Sequence, residues 1–159
     1  MYIFDSDSLI HAYRDDFPPK GEHSNFWNWL DDIGKLDGIA IPEKVFEELS
    51  KKTDGLSKFL KKYPNLKTEP TVNCLPNLPK VLSTYGQLSD VDLEILERKA
   101  DSYVIAHAMI LNATVVSCEV SEPYKLGINK KIPDICDALD ISFESYAHFL
   151  WRMRGLYPE

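Results

Sequence analysis

Short apolar runs alternate with helical stretches along the chain, and no other feature limits the fold as much. Tyr2-Ile3-Phe4 is aromatic and β-branched, as a buried strand is. Ile39-Ala40-Ile41 and the run 113–118 have the same character, a short strand is expected near 67–70, and Ile141 belongs to a last one. Between them, helices are expected over 24–33, 43–52, 56–63, 88–112, 133–139 and 142–154. Gly34 reads as a helix stop and Pro42 as a first helical residue. Pro64, Pro70, Pro76 and Pro79 mark a loop over 64–80. Strands that alternate with helices build a parallel sheet covered on both faces. The expectation is therefore an α/β domain of three αβα layers, with a central parallel sheet of four to five strands, spanning 1–159 as a single unit.

Composition narrows the function classes. At 159 residues, folding buries roughly 70% of the chain's surface, enough for a real core. With 44% hydrophobic and 27% charged residues, the chain is an ordinary folded protein and not a disordered one. No apolar run approaches the roughly 20 residues that span a bilayer, and the start lacks a basic segment and cleavage site, so neither a membrane nor a secretory route is expected. Cys74, Cys118 and Cys136 form no Cys-x-x-Cys pair, which signals neither a disulfide framework nor a zinc site. Cys118 and Cys136 are expected to be buried, and a reducing cytoplasm fits all three. The net charge of −7 argues against a basic coat protein for nucleic acid. It leaves a nuclease open, because bound metal reverses the local sign of a carboxylate cluster.

The carboxylates carry the chemistry. Asp5 follows the first strand directly, where α/β sheets place their ligands, although Asp5 or Ser6 would also serve as a helix cap. Glu48 lies on the flank of the apolar face set by Val45, Phe46 and Leu49, whereas Glu47 points to solvent. Asp101 shares a helix face with Ile105 and Ala108, a costly place for a charge unless it is paired or metal-bound. Glu119 follows the strand Val115-Val116-Ser117-Cys118. Asp134 is explained by capping. Asp and Glu are hard oxygen ligands suited to Mg²⁺ or Mn²⁺, and a cluster of like charges does not stay ionised without a cation. Such a cluster suits phosphodiester hydrolysis.

Taken together, Phe4-Asp5-Ser6, Val45-x-x-Glu48-Leu49, Asp101-x-x-Val104-Ile105-Ala106-x-Ala108 and Val115-Val116-Ser117-Cys118-Glu119 resemble the PIN-domain ribonucleases. The chain also resembles a PIN-like subgroup of unknown function through Leu9-Ile10-His11-Ala12-Tyr13-Arg14, Phe26-Trp27-x-Trp29-Leu30 and Lys131-Ile132-Pro133-Asp134-Ile135-Cys136. Two positions depart from the pattern: Asp7 stands where many such domains have Asn or Ser, and Glu119 where they have Asp. The resemblance implies RNA cleavage that leaves a 3′-hydroxyl and a 5′-phosphate. It also implies a toxin role in a toxin–antitoxin pair, with a cognate antitoxin protein as partner. On this reading Asp5, Glu48 and Asp101 hold the principal Mg²⁺ or Mn²⁺, Glu119 assists it or a second ion, and Ser6 and Asp7 are auxiliary.

Two other classes compete. Phe4-Asp5-Ser6-Asp7-Ser8 also resembles the haloacid-dehalogenase phosphatase signature, with Asp5 as nucleophile and Asp7 as acid/base, but no Asp neighbours Glu119 to complete the metal motif. A PIN-like domain without catalysis would act as an RNA-binding module or scaffold. Lysines crowd the stretch 51–67, and Lys58 and Lys62 are candidate contacts to an RNA backbone. Trp27, Trp29, Phe26 and Tyr13 are candidate base-stacking surfaces. Trp27 and Trp29 are not expected to face the core together, so one of them is expected at a partner or homodimer contact. His11 and His107 are expected to be satisfied structural groups.

Overall fold

The computed structural model describes residues 1–19, 24–36, 38–52 and 55–156. At its centre lies β1 (Tyr2–Phe4), flanked on one side by β2 (Ile39–Pro42) and then β3 (Lys67–Glu69). On the other side come β4 (Thr114–Ser117) and then β5 (Phe143–Ser145). Every pairing is parallel, and the order is β3-β2-β1-β4-β5. Tyr2 stands opposite both Ile39 and Thr114, and Phe4 opposite Val116. The chain moves outward from β1 to β3, then returns to the far side of β1 for β4. The crevice beyond the carboxyl ends of β1 and β4 is thus the topological switch point, where open α/β sheets take their ligands.

Ten α-helices are described: α1 (Ser6–His11), α2 (Ser24–Lys35), α3 (Glu43–Lys52), α4 (Leu56–Leu60), α5 (Thr71–Cys74), α6 (Leu78–Ser83), α7 (Asp90–Arg98), α8 (Asp101–Leu111), α9 (Ile132–Ala138) and α10 (Tyr146–Met153). A π-helical turn, Ala12–Asp16, extends α1. On one face of the sheet, α8 packs on β1, β2 and β4 and touches α9, which lies on β4 and β5. On the other face α2 and α10 meet. Phe149 of α10 packs edge-on against Tyr2 and Phe4 at 5.2 and 5.1 Å, and Trp29 of α2 lies 6.4 Å from it. The result is the three-layer αβα arrangement with an all-parallel five-stranded sheet.

Helix α8 is the central pillar. Every residue from Ser102 to Ala108 is buried, which is the mark of an interior helix rather than an amphipathic one. Burying each of its large apolar side chains is worth about 1.5–3 kcal/mol. The expected helix over 88–112 breaks in two, because Lys99 is extended (φ −92°, ψ 146°). That break makes Asp101 the first residue of a new helix aimed at the sheet. Ser89 and Asp92 close a reciprocal capping box at the start of α7.

Four further expectations are corrected. The stretch 64–80 carries the expected short strand as β3, but the rest is not a plain loop, since two short helices that pack on α8 begin there. Pro42 ends β2, paired with Glu69, and α3 begins one residue later; its missing N–H is tolerated at a strand end. Gly34 lies inside α2, where a Cβ would come within 2.2 Å of the Asn65 carbonyl oxygen, so close packing and not helix termination requires it. Both Trp27 and Trp29 face inward. Trp27 is fully buried and its Nε1 donates to the Phe17 carbonyl at 2.8 Å, and Trp29 is half-buried against Phe26 and Phe149. Phe26 is buried as well, which removes it and Trp27 as stacking surfaces for bases.

Candidate functional site

Five acidic residues, Asp5, Asp7, Glu48, Asp101 and Glu119, line one cavity of about 150 Å³ together with Ser6, Lys52 and Lys99. They come from five places in the fold. Asp5 leaves β1, Asp7 opens α1, Glu48 projects from α3, Asp101 starts α8 and Glu119 lies just past β4. The cavity occupies the crevice at the switch point. A larger cavity, about 510 Å³, lies elsewhere, beside α3, α4 and β3, and Phe46, Leu60, Tyr63 and Leu66 give it an apolar lining that none of these five acids shares.

Asp5 serves the fold and the pocket at once. It is 3% exposed. Its Oδ1 accepts the Ser8 backbone N–H at 2.8 Å, capping α1, and its Oδ2 accepts the Ser117 hydroxyl at 2.5 Å. Burial pushes its carboxyl up to about 6, even though the bonds from Ser117 and Ser8 pull the other way. Ser117 is itself buried in β4 and accepts the Glu119 N–H at 3.0 Å, so one hydroxyl links β1 to the residue that carries the fourth acid.

Asp101 is the least compensated acid. Among the described residues no hydrogen bond reaches its carboxylate. Burial first, then the negative charges of Glu119, Glu48 and Asp5, push its carboxyl up to about 7. These three residues are the ones expected from sequence to share its site. Tyr85, buried beneath them, has its phenol pushed up by burial and by Asp101 and Glu119, which keeps it neutral.

Glu48 and Glu119 are held by donors. Glu48 is 12% exposed; its Oε2 accepts the Ser6 hydroxyl at 2.5 Å and its Oε1 lies 2.8 Å from Lys52 Nζ. Glu47, one residue before it, is turned outward to pair with Lys44 at 3.0 Å. Glu119 Oε2 accepts the Ile132 backbone N–H at 2.7 Å, and its Oε1 lies 3.3 Å from Lys131 Nζ. Asp7 stands at the rim, 61% exposed and 4.0 Å from Lys52.

The donor set of carboxylate oxygens is chemically right for a hard divalent cation. Burial is the main cause of the raised carboxyls of Asp5 and Asp101, and neighbouring like charges add to it. Among the described residues, however, no group of three or more His, Cys, Asp or Glu side chains is already arranged to hold a metal ion. Glu48 and Glu119 are paired with Lys52 and Lys131, and both oxygens of Asp5 accept hydrogen bonds, from the Ser8 N–H and the Ser117 hydroxyl.

Several groups stand apart from the pocket. Lys58 and Lys62 are exposed on α4 and just beyond it, and neither lines the acidic cavity. His11 is half-exposed and pairs with Asp15 at 3.0 Å. His107 is buried, neither of its ring nitrogens has a hydrogen-bond partner among the described residues, and burial lowers its pKa. Cys74 and Cys136 are buried, but Cys118 is exposed, contrary to expectation, because β4 ends at Ser117. Asp134 does not cap α9; it accepts the Ser121 hydroxyl at 2.5 Å and the Glu122 N–H at 2.9 Å, which braces the loop after Glu119. Sequence reasoning missed Ser117, Lys99 and Lys131. Ser117 was findable, since a polar residue inside an apolar strand needs a buried partner.

A parallel αβα domain with a carboxylate pocket at its switch point is the class that fold and site define. The chain belongs to the family described as domain of unknown function (DUF4411), which it matches over residues 2–155. No curated protein matches it. Among the described residues, no helix is long and apolar enough to cross a membrane.

Proposed function

We propose that this protein is a Mg²⁺- or Mn²⁺-dependent endoribonuclease. The observation that carries the reading is the convergence of Asp5, Glu48, Asp101 and Glu119 on one cavity, where the half-buried Asp101 carboxylate accepts no hydrogen bond among the described residues and is pushed up to about 7 by desolvation first and then by the other three. Asp5, Glu48 and Asp101 would hold the principal cation, and Glu119 would assist it or hold a second one. A divalent cation bound there supplies a Lewis acid that polarises a phosphodiester and acidifies an attacking water.

The chain's own residues prepare that chemistry. Ser117 and the Ser8 N–H fix the plane of the Asp5 carboxylate. Ser6 fixes Glu48, and the Ile132 N–H fixes Glu119. Such bonds lower the entropy lost when the oxygens converge on one ion. Lys99 at the cavity wall and Lys52 at its rim are the cations nearest an incoming phosphate. Lys58 and Lys62 would contact RNA only well beyond the cleavage point. The resemblance to PIN-domain ribonucleases extends the proposal to 3′-hydroxyl and 5′-phosphate products, to a cytoplasmic toxin role and to an antitoxin protein as partner.

The deciding experiment compares wild-type protein with Asp5→Asn and Asp101→Asn on single-stranded RNA in Mn²⁺. Loss of cleavage and of growth inhibition in both variants, with folding retained, supports the reading; full activity in both rules it out.

One specific observation favours a second reading. Lys52 and Lys131 already compensate Glu48 and Glu119, as a domain that binds RNA without cutting it would allow. In that case Mn²⁺ leaves the melting temperature unchanged. The phosphatase reading is weaker, because Asp7, its required acid/base, is turned to solvent at the rim. Failure to trap a phosphorylated Asp5 disposes of it.

A further inference from the structure

Two acids of the pocket, Glu48 and Glu119, take lysine partners. The two lysines differ in kind. Lys131 lies beyond the cavity wall, in the segment whose backbone also binds Glu119. Lys52 lines the cavity itself, on the last turn of α3, with its ammonium 2.8 Å from Glu48 and 4.0 Å from Asp7. A glutamate four residues before a lysine is the favourable orientation for a helical ion pair. Here that ordinary pair closes over an acidic cavity, because its glutamate is 12% exposed and Asp7 of α1 faces the same ammonium.

We propose that Lys52 is the built-in counterion of this pocket and competes with a divalent cation for Glu48, so that the cation enters by displacing its ammonium. The inference rests on the reading of the pocket as a divalent-cation site. Displacement is inexpensive. Lys52 is 49% exposed and its flexible stem carries the ammonium into water, where the pair loses little. Glu48 stays oriented after the exchange, because Ser6 holds its other oxygen. Lys52 thus sets a threshold: the pocket remains balanced at low divalent-ion concentration, and the cation must outcompete a tethered charge.

Titration calorimetry with Mn²⁺ at pH 7.5 tests this on the full chain and its Lys52→Gln, Lys52→Arg and Lys51→Gln variants. Lys51 is the exposed neighbour and removes the same formal charge without lining the cavity. The expected result is that K52Q binds Mn²⁺ about two- to fivefold more tightly, that K52R stays near wild type and that K51Q changes little. If wild type binds Mn²⁺ but K52Q binds no more tightly, or K51Q gains as much as K52Q, the displacement proposal is overturned and the metal reading stands. If none of the four proteins binds Mn²⁺, both are overturned together. Thermal melts of each variant establish that folding is intact.

Discussion

Lys52 and Glu48, one turn apart on α3, form a 2.8 Å ion pair at one side of a cavity whose other walls are mostly acidic. The pair joins the two halves of the account. It offsets part of the negative charge in the cavity, and on the proposed reading it is the contact that a divalent cation would displace. Burial raises the carboxyls of Asp5 and Asp101 to about 6 and about 7.

Those raised carboxyls make stability depend on pH with an unusual sign. Both acids titrate higher in the folded state than in the unfolded chain, where an aspartate sits near 4. Between these values the folded state binds more protons, so stability falls as pH rises from about 4 to about 7, then levels off. Metal-free protein should therefore melt lower at pH 8 than at pH 5.5. Asp101→Asn should flatten the curve and raise stability at pH 8 by about 1–3 kcal/mol. Thermal melts across this pH range check it; a wild-type curve rising toward pH 8 contradicts it.

Divalent cations should reverse that loss. A ligand that binds only the folded state at a hundred times its dissociation constant stabilises by about 2.7 kcal/mol. Mn²⁺ at pH 7.5 should raise the melting temperature of wild type by several degrees. The shift should disappear in Asp5→Asn and Asp101→Asn, and shrink in Glu119→Gln. An equal shift in all four proteins would place the ion somewhere else.

Ser117 should matter more than its size suggests. Ser117→Ala removes the donor to Asp5 Oδ2 and the acceptor of the Glu119 N–H. Losing a buried bond to a charged group costs about 1.5–3 kcal/mol. Mn²⁺ affinity should fall with it, because Asp5 loses its orientation. Ser117→Thr keeps the hydroxyl and should recover affinity, as calorimetry would show.

Trp27 is a packing residue and should behave as one. Trp27→Ala should cost about 3–5 kcal/mol through the cavity it leaves and the lost bond to Phe17. The affinity of any remaining folded protein for RNA should not change. Denaturant unfolding and filter binding together separate the two effects; loss of RNA binding at unchanged stability would restore the stacking reading.

Much of this was legible in the sequence. The strands and their alternation with helices follow from β-branched runs and helical periodicity, which are local properties. So does Glu48 over Glu47, since 100° of helix rotation separates an inward flank from solvent. What was not legible depends on contacts far apart in the chain. Trp27 and Trp29 both face inward because two different surfaces, Phe59 with Tyr63 and Phe149, receive them. The helix break at Lys99 has no proline or glycine to announce it. Lysine partners for the acids are not visible either: Lys131 reaches Glu119 across eleven intervening residues, and Lys52 is one of several lysines crowded over 51–67.

A crystal of the full chain soaked in Mn²⁺ at pH 7.5 tests the central claim most directly, through anomalous scattering at the manganese edge. The account predicts a peak within the cavity, ligated by Asp5, Glu48 and Asp101, with Lys52 swung away from Glu48. A cavity without a peak, with Lys52 still seated on Glu48 at high Mn²⁺ concentration, would contradict it.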